Sequence, residues 1–202
     1  MNTKHIVLVA LTTMALAAHG QVTVNFDNTV LSGNFTPVTN PYIELGYSFT
    51  AQNTGNCNFI DGTSYGYPLS YNNTDFLLSQ GNVFTIVKSG GGTFSFDSVA
   101  IGEMNTVGRT ITIQGYVGAA QVANLSYTTT AGNGFSGGPA GWGFVNMTSG
   151  FSDVDKVTVS LGTMGYAAEF DNFTFSPVPE PSTLALVALA GTGLLHFRRR
   201  RV

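Results

Sequence analysis

The stretch Arg109-Thr110-Ile111-Thr112-Ile113-Gln114-Gly115-Tyr116 places polar and apolar residues in alternation. Successive side chains of a β-strand point to opposite faces, so this pattern predicts a strand with one buried and one solvent-facing side. No window of the central chain shows the 3.6-residue period of an amphipathic helix. The alternation therefore predicts an all-β domain.

The same period recurs in short segments on both sides of this stretch: Val22–Phe26, Val83–Val87, Phe94–Phe96, Val122–Thr128, Gly143–Met147, Lys156–Leu161 and Glu169–Phe175. Clusters of Gly, Asn, Pro or Asp separate them, as is typical of turns. About eight to ten such strands predict an antiparallel β-sandwich. Connections such as Gly55–Asn73 are too long for hairpins, which favours jelly-roll or Greek-key wiring over a simple meander.

The first twenty residues have the features of a secretory signal peptide. A weak basic start at Lys4 and His5 precedes the apolar run Ile6–Ala18, and small residues follow it. Such a segment is removed in the mature protein. We expect cleavage after Gly20, with Ala17 as the alternative, so that residues 1–20 are the signal peptide and 21–176 form the domain.

The last residues combine three signals in a fixed order. Val178-Pro179-Glu180-Pro181 comes first, and its two prolines keep the chain extended. The apolar run 183–197 follows, which predicts a short transmembrane helix. Arg198-Arg199-Arg200-Arg201 closes the tail, and arginines in this position are retained on the cytoplasmic side.

This three-part tail, residues 177–202, resembles the PEP-CTERM sorting signal of exopolysaccharide-producing Gram-negative bacteria. The resemblance implies an exosortase as partner, a membrane cysteine transpeptidase that processes such proteins near the Pro-Glu-Pro motif. It also implies a route: export through the inner membrane, transient anchoring by the C-terminal helix, and release to the cell surface or extracellular matrix.

The charge of the domain narrows the class of ligand. Residues 21–176 hold three basic and ten acidic side chains, so the net charge is near −7. Nucleic-acid binding needs clustered Lys and Arg, and the composition disfavours it. An acidic surface suits cations, and it also suits neutral ligands such as sugars.

Histidine usage excludes several kinds of catalysis. His5, His19 and His196 all lie in the two targeting segments, so the domain has no histidine. Ser-His-Asp and Cys-His catalysis and His-ligated zinc are therefore excluded. An enzyme here would need two carboxylates, as in glycoside hydrolysis, and the spacing of the acids singles out no pair. We therefore predict that the domain is not an enzyme and requires no cofactor.

Three segments resemble jelly-roll carbohydrate-binding modules: Val24-Asn25-Phe26-Asp27, Gly46-Tyr47-Ser48-Phe49 and Phe170-Asp171-Asn172-Phe173-Thr174-Phe175. The first and last strands of a jelly roll often lie side by side, which would bring Asp27 near Asp171 as oxygen ligands of Ca²⁺. In the resembling families such a calcium is structural. In the alternative interpretation, Asp171 and Asn172 end a turn and Asp27 is a solvated loop acid.

Sugar recognition uses flat aromatic faces together with polar groups that bind hydroxyls. The stretch Asn56–Asn73 offers Tyr65, Tyr67 and Tyr71, and the Gly-rich stretch Phe135–Trp142 offers Trp142. As alternatives, the tyrosines pack within their loop, and Trp142 points into the core with the apolar residues that follow it. We interpret all four as candidate glycan-contacting residues.

Taken together, the sequence predicts an exported surface or extracellular-matrix protein whose single domain is a non-catalytic module associated with glycan or exopolysaccharide. One alternative is a carboxylate-based, glycan-acting enzyme. The other is a purely structural matrix protein without a ligand.

Overall fold

A computed structural model describes residues 20–29, 35–53, 57–61, 75–80, 83–103, 108–130, 142–162 and 167–178. Several predicted segments lie outside these ranges: residues 1–19 of the signal peptide, Pro179-Glu180-Pro181, the apolar run 183–197, the arginine cluster 198–201 and the three candidate tyrosines. None of the described residues belongs to a helix that is both long and apolar enough to cross a membrane.

The described residues form thirteen strands and one 3₁₀ turn, Ser149–Phe151. The strands are β1 Val22–Val24, β2 Phe35–Pro37, β3 Tyr42–Glu44, β4 Tyr47–Ala51, β5 Cys57–Ile60, β6 Phe76–Gln80, β7 Val83–Lys88, β8 Phe94–Glu103, β9 Thr110–Val117, β10 Ala120–Thr128, β11 Gly143–Asn146, β12 Lys156–Ser160 and β13 Ala167–Pro177.

The strands make two antiparallel sheets. Sheet A has the order β11-β8-β13-β6-β5-β2, with β1 also paired to β13. Sheet B has the order β10-β9-β12-β7-β4-β3. The chain passes from sheet B to sheet A between β7 and β8 and again between β12 and β13, so the wiring is not a meander. The predicted antiparallel, jelly-roll-like β-sandwich is confirmed.

The alternation in β9 behaves as predicted, because Ile111 and Ile113 are fully buried between more exposed neighbours. Every other segment predicted to be extended also contains a strand. The first of them is shorter than predicted, since β1 ends at Val24 and Phe26 adopts a φ of 62° in a turn.

One segment was predicted wrongly. Strand β5 lies inside the stretch 55–73 that its composition identified as a connection. Phe59 and Ile60 point to opposite faces and are both buried, so this strand is enclosed on both faces, and the alternation of Cys57, Asn58 and Phe59 is too short to mark a strand.

Strand β13 supplies the centre of the core. Phe170, Phe173 and Phe175 are fully buried, and each such ring contributes about 1.5–3 kcal/mol of burial free energy. Phe175 stacks on Tyr47 of sheet B with ring centroids 4.0 Å apart. The pairing register of β13 with β8 shifts after Asp171, where Asn172 adopts a φ of 51°. This irregularity lets residues three apart, Phe170 and Phe173, both face the core.

The two ends of the domain meet at one place. Strand β1 pairs antiparallel with the end of β13, so that Val22 lies opposite Phe175. Asp97 Oδ2 accepts hydrogen bonds from Ser176 Oγ at 2.6 Å and from Gln21 Nε2 at 3.2 Å. We call the end of the sandwich where β1 begins and β13 finishes the terminal end.

Candidate functional site

The outer side of sheet B is mostly polar, although Val83 and Val87 of β7 also face outward. Phe84, Ile113 and Val159 of its strands are buried in the core, so the residues that alternate with them point outward. The pairing register aligns five outward residues in one row across the sheet: Thr50, Thr85, Thr158, Gln114 and Asn124. We call the outward side of β4, β7, β12, β9 and β10 the hydroxyl face.

This hydroxyl face is nearly free of charge. No outward position of its five strands is acidic, although residues 21–176 carry ten acids. Its one cation is Lys156, whose Nζ lies 4.3 Å from the ring centre of Tyr116. Gln114 donates from Nε2 to Gln121 at 2.7 Å and accepts from the Tyr116 hydroxyl at 3.1 Å. Such hydroxyls and amides both donate and accept hydrogen bonds, which suits a neutral, polyhydroxylated ligand.

Trp142 lies on the other side of the sandwich. It precedes β11, which pairs with β8 through Gly143 and Ile101. A Cβ placed on Gly102 would come within 2.7 Å of the Trp142 indole and 2.7 Å of Glu169 Oε2. Because Ile101 is a core residue, Gly102 faces the outside of sheet A. The indole is therefore on the outer side of sheet A and partly exposed, and the alternative orientation into the core is not observed.

Glu169 is a fully buried carboxyl beside this indole. Neither of its carboxyl oxygens has a hydrogen-bond partner in the part of the chain that the structure describes. Burial, and secondarily the nearby Glu103 carboxylate, raise the pKa of Glu169 well above its ordinary value of 4.5. The folded protein thus favours the protonated form of this side chain.

Glu103, at the end of β8, is fully buried and ion-paired. Its Oε2 lies 3.1 Å from Arg109 Nε and accepts a hydrogen bond from Thr129 Oγ1 at 3.1 Å. Arg109 and Thr129 flank the β9–β10 hairpin, so this ion pair joins sheet A to sheet B.

Sequence reasoning did not single out this carboxyl pair. Glu103 and Glu169 are far apart in the chain, and only the pairing of β8 with β13 brings them together. The hydroxyl face was also missed, although a signal for it existed: Thr110, Thr112 and Thr158 occupy the polar positions of alternating segments.

Asp27 and Asp171, the predicted calcium ligands, lie just after β1 and within β13, and these two strands are paired. The expectation that the first and last strands lie side by side is met by β1 and β13. Asp27 is exposed and accepts hydrogen bonds from Asn25 Nδ2 at 2.7 Å and from the Asp75 amide at 3.1 Å. Asp171 is buried and accepts from the Asn172 amide at 2.6 Å. Among the described residues, no group of three or more His, Cys, Asp or Glu side chains could hold a metal ion.

Solved structures similar to this chain share low sequence identity with it. A DUF4465 family protein from Bacteroides caccae ATCC 43185 is 9% identical over 79% of this chain and 100% of its own, with a TM-score of 0.51. This likeness shows a common fold. The K1 adhesin domain of Lys-gingipain from Porphyromonas gingivalis W83 is 10% identical over 79% of this chain and 99% of its own, with a TM-score of 0.46.

A family 32 carbohydrate-binding module of C. perfringens NanJ, solved with galactose, is 10% identical over 65% of this chain and 94% of its own, with a TM-score of 0.41. No curated protein matches the chain in sequence. A family model described as the PEP-CTERM protein-sorting motif matches residues 177–201. The chain therefore carries the sorting motif that its tail predicted, and this motif marks an exported protein that an exosortase sorts to the cell surface.

Proposed function

We propose that the domain is a non-catalytic module that associates with exopolysaccharide at the cell surface or in the extracellular matrix. The precursor crosses the inner membrane, is held there by its C-terminal helix, and is released when the exosortase processes it. The observation that carries the glycan assignment is the hydroxyl face, a largely polar surface without acidic side chains on an otherwise acidic domain.

The hydroxyl face suits an extended polymer better than a single small molecule. Neighbouring strands are about 4.8 Å apart, so the row from Thr50 to Asn124 spans about 19 Å across five strands. A flat array of this length offers repeated hydrogen-bonding groups to successive sugar units. Trp142 offers a separate aromatic contact on the opposite sheet.

The test is binding of the processed protein to a panel of neutral and acidic polysaccharides that includes the host's own exopolysaccharide. Thr85→Val with Thr158→Val removes two central hydroxyls while keeping the side-chain shape. Two lost hydrogen bonds at about 1 kcal/mol each should weaken binding at least tenfold. Thr23→Val is the matched control, because Thr23 is an exposed threonine on sheet A. Unchanged affinity of the double variant would contradict the assignment to the hydroxyl face, and loss in Trp142→Ala alone would move the site to sheet A.

We propose a structural Ca²⁺ at Asp27 and Asp171 that supports the fold without being needed for binding. Repeating the titration with calcium and with chelator examines this: affinity is expected to stay constant while chelator lowers the thermal midpoint. An unchanged midpoint would remove the metal, and affinity lost in chelator would give it a role in binding.

The enzymatic alternative has one observation in its favour, the juxtaposition of Glu103 and Glu169. The same incubations can be assayed for new reducing ends. Breakdown of a polysaccharide that is abolished by Glu103→Gln and by Glu169→Gln would replace the proposal with a hydrolase. The full burial of both carboxyls argues for the non-catalytic assignment. If the protein shows neither binding nor breakdown of any polysaccharide, the result would indicate a structural matrix protein without a ligand.

A further inference from the structure

The C-terminal tail leaves the domain at the terminal end of the sandwich. This end is therefore the part of the domain that the tail holds next to the membrane. Gln21, the expected first residue of the mature chain, and Ser176, which precedes the sorting motif, bind the same oxygen of Asp97. Both membrane-directed segments therefore leave the domain at one place. A role for this end at the bilayer rests on the membrane-held precursor of the proposed function.

The tail allows little distance between this end and the bilayer. Val178 is the last described residue, and the apolar run begins five residues later at Thr183. Five extended residues span at most about 18 Å. About 5–7 Å of this 18 Å span lies within the polar headgroup region that covers each side of the hydrocarbon core. The terminal end is therefore within roughly 10–13 Å of the headgroups whenever the apolar run spans the membrane.

Two turns at this end expose apolar side chains. Leu45, in the turn between β3 and β4, is 59% exposed, and Val117, at the turn between β9 and β10, is 44% exposed. Both turns lie at the terminal end: the Gly46 carbonyl binds the amide of Ser89, whose segment leads into β8 opposite Pro177. Lys156, at the start of β12, pairs with Val87 near the end of β7 and with Tyr116 near the end of β9. The β9–β10 turn therefore lies at this same end.

Leu45 is an unexpected residue for its position. It adopts a φ of 48°, in the left-handed region where Gly or Asn costs less. An exposed leucine in such a turn lowers neither the backbone energy nor the solvation energy of the free domain. Contact with an apolar medium would account for it.

The charged side chains around these turns include more acids than cations. Lys88 and Lys156, two of the three cations in residues 21–176, lie here. Four acids oppose them: Asp155, which accepts a hydrogen bond from the Gly118 amide, the exposed Asp153, Asp97, and Glu44 directly before Leu45. The contact therefore depends on the apolar side chains. It can be weak and still form, because the tether gives a high effective concentration.

We infer that the terminal end is a membrane-facing surface, with Leu45 and Val117 inserted among phospholipid headgroups in the unprocessed precursor. The strands then point away from the bilayer, and the opposite end of the sandwich lies farthest from it. Release by the exosortase removes the tether, and the weak contact alone does not retain the domain.

The test uses the full-length chain reconstituted in phosphatidylethanolamine–phosphatidylglycerol liposomes that contain a headgroup-attached fluorescence quencher. A fluorophore is placed by Leu45→Cys or by Gln52→Cys, an exposed position at the other end of β4, roughly 20 Å away. The native Cys57 is 1% exposed and stays unlabelled in the folded protein. We expect quenching at least threefold stronger at position 45, and equal quenching would overturn the inference.

Val117→Cys provides a second label at the terminal end and is expected to match position 45. Flotation of the liposomes separates a wrong orientation from a missing membrane anchor. If the chain floats and all labels are quenched equally, the orientation is wrong and the membrane-held stage stands. If the chain does not float, the membrane-held stage fails and the inference fails with it.

Discussion

Glu169 makes the stability of the fold depend on pH. Its pKa is raised in the folded protein, first by burial and then by Glu103, whereas in the unfolded chain it is close to 4.5. Above that value the unfolded chain releases the proton that the folded state retains. The free energy of unfolding therefore declines as pH rises from about 4.5 toward the folded pKa, and it is greatest below.

Replacing this carboxyl should remove the decline. Glu169→Gln keeps the shape of the side chain and cannot ionise, so we expect it to be less sensitive to pH and more stable than the unmodified chain at pH 8. Urea unfolding followed by the fluorescence of Trp142, the single tryptophan, measures this. A variant that keeps the full pH dependence would show that another group causes it.

Glu103→Gln is the matched comparison for the other member of the carboxyl pair. It leaves Arg109 without its carboxylate, so we expect a loss of about 3–5 kcal/mol. Opposite effects of the two Glu→Gln changes would establish that Glu169 destabilises the fold when it ionises, whereas Glu103 stabilises it through its ion pair with Arg109.

At the scale of elements, the contact between β8 and the start of β11 depends on one glycine. Gly102 gives the Trp142 indole and the Glu169 carboxyl room to approach the β8 backbone, since a Cβ there would be 2.7 Å from each. Gly102→Ala should destabilise the protein by about 1–3 kcal/mol and shift the Trp142 emission as the indole moves away. Urea titration of the variant gives both quantities.

Gly90 is the control for this substitution. It lies in the segment between β7 and β8, and no atom would contact a Cβ placed there. Gly90→Ala should therefore change the free energy of unfolding little. Equal losses in both variants would mean that backbone effects, rather than the crowding at Gly102, cause the destabilisation.

At the scale of the whole molecule, the sequence predicted the fold class because β9 and β12 alternate buried residues with more exposed ones. It could not reveal β5, which is buried on both faces, or the irregularity at Asn172. The sites were less predictable still. Trp142 could be chosen as a candidate from its residue type alone. The carboxyl pair of Glu103 and Glu169 and the hydroxyl face could not, because pairing between strands that are distant in the sequence brings their residues together.

The place of β13 in the chain affects the order of events during export. This strand lies between β8 and β6 in sheet A and also pairs with β1, yet it is the last element before the sorting motif. A chain that emerges N-terminus first cannot complete sheet A until residues 167–177 have crossed. Pairings of this kind, between segments distant in sequence, also form slowly. In the export route that we propose, the sandwich therefore closes only after the last strand of the domain has crossed the inner membrane.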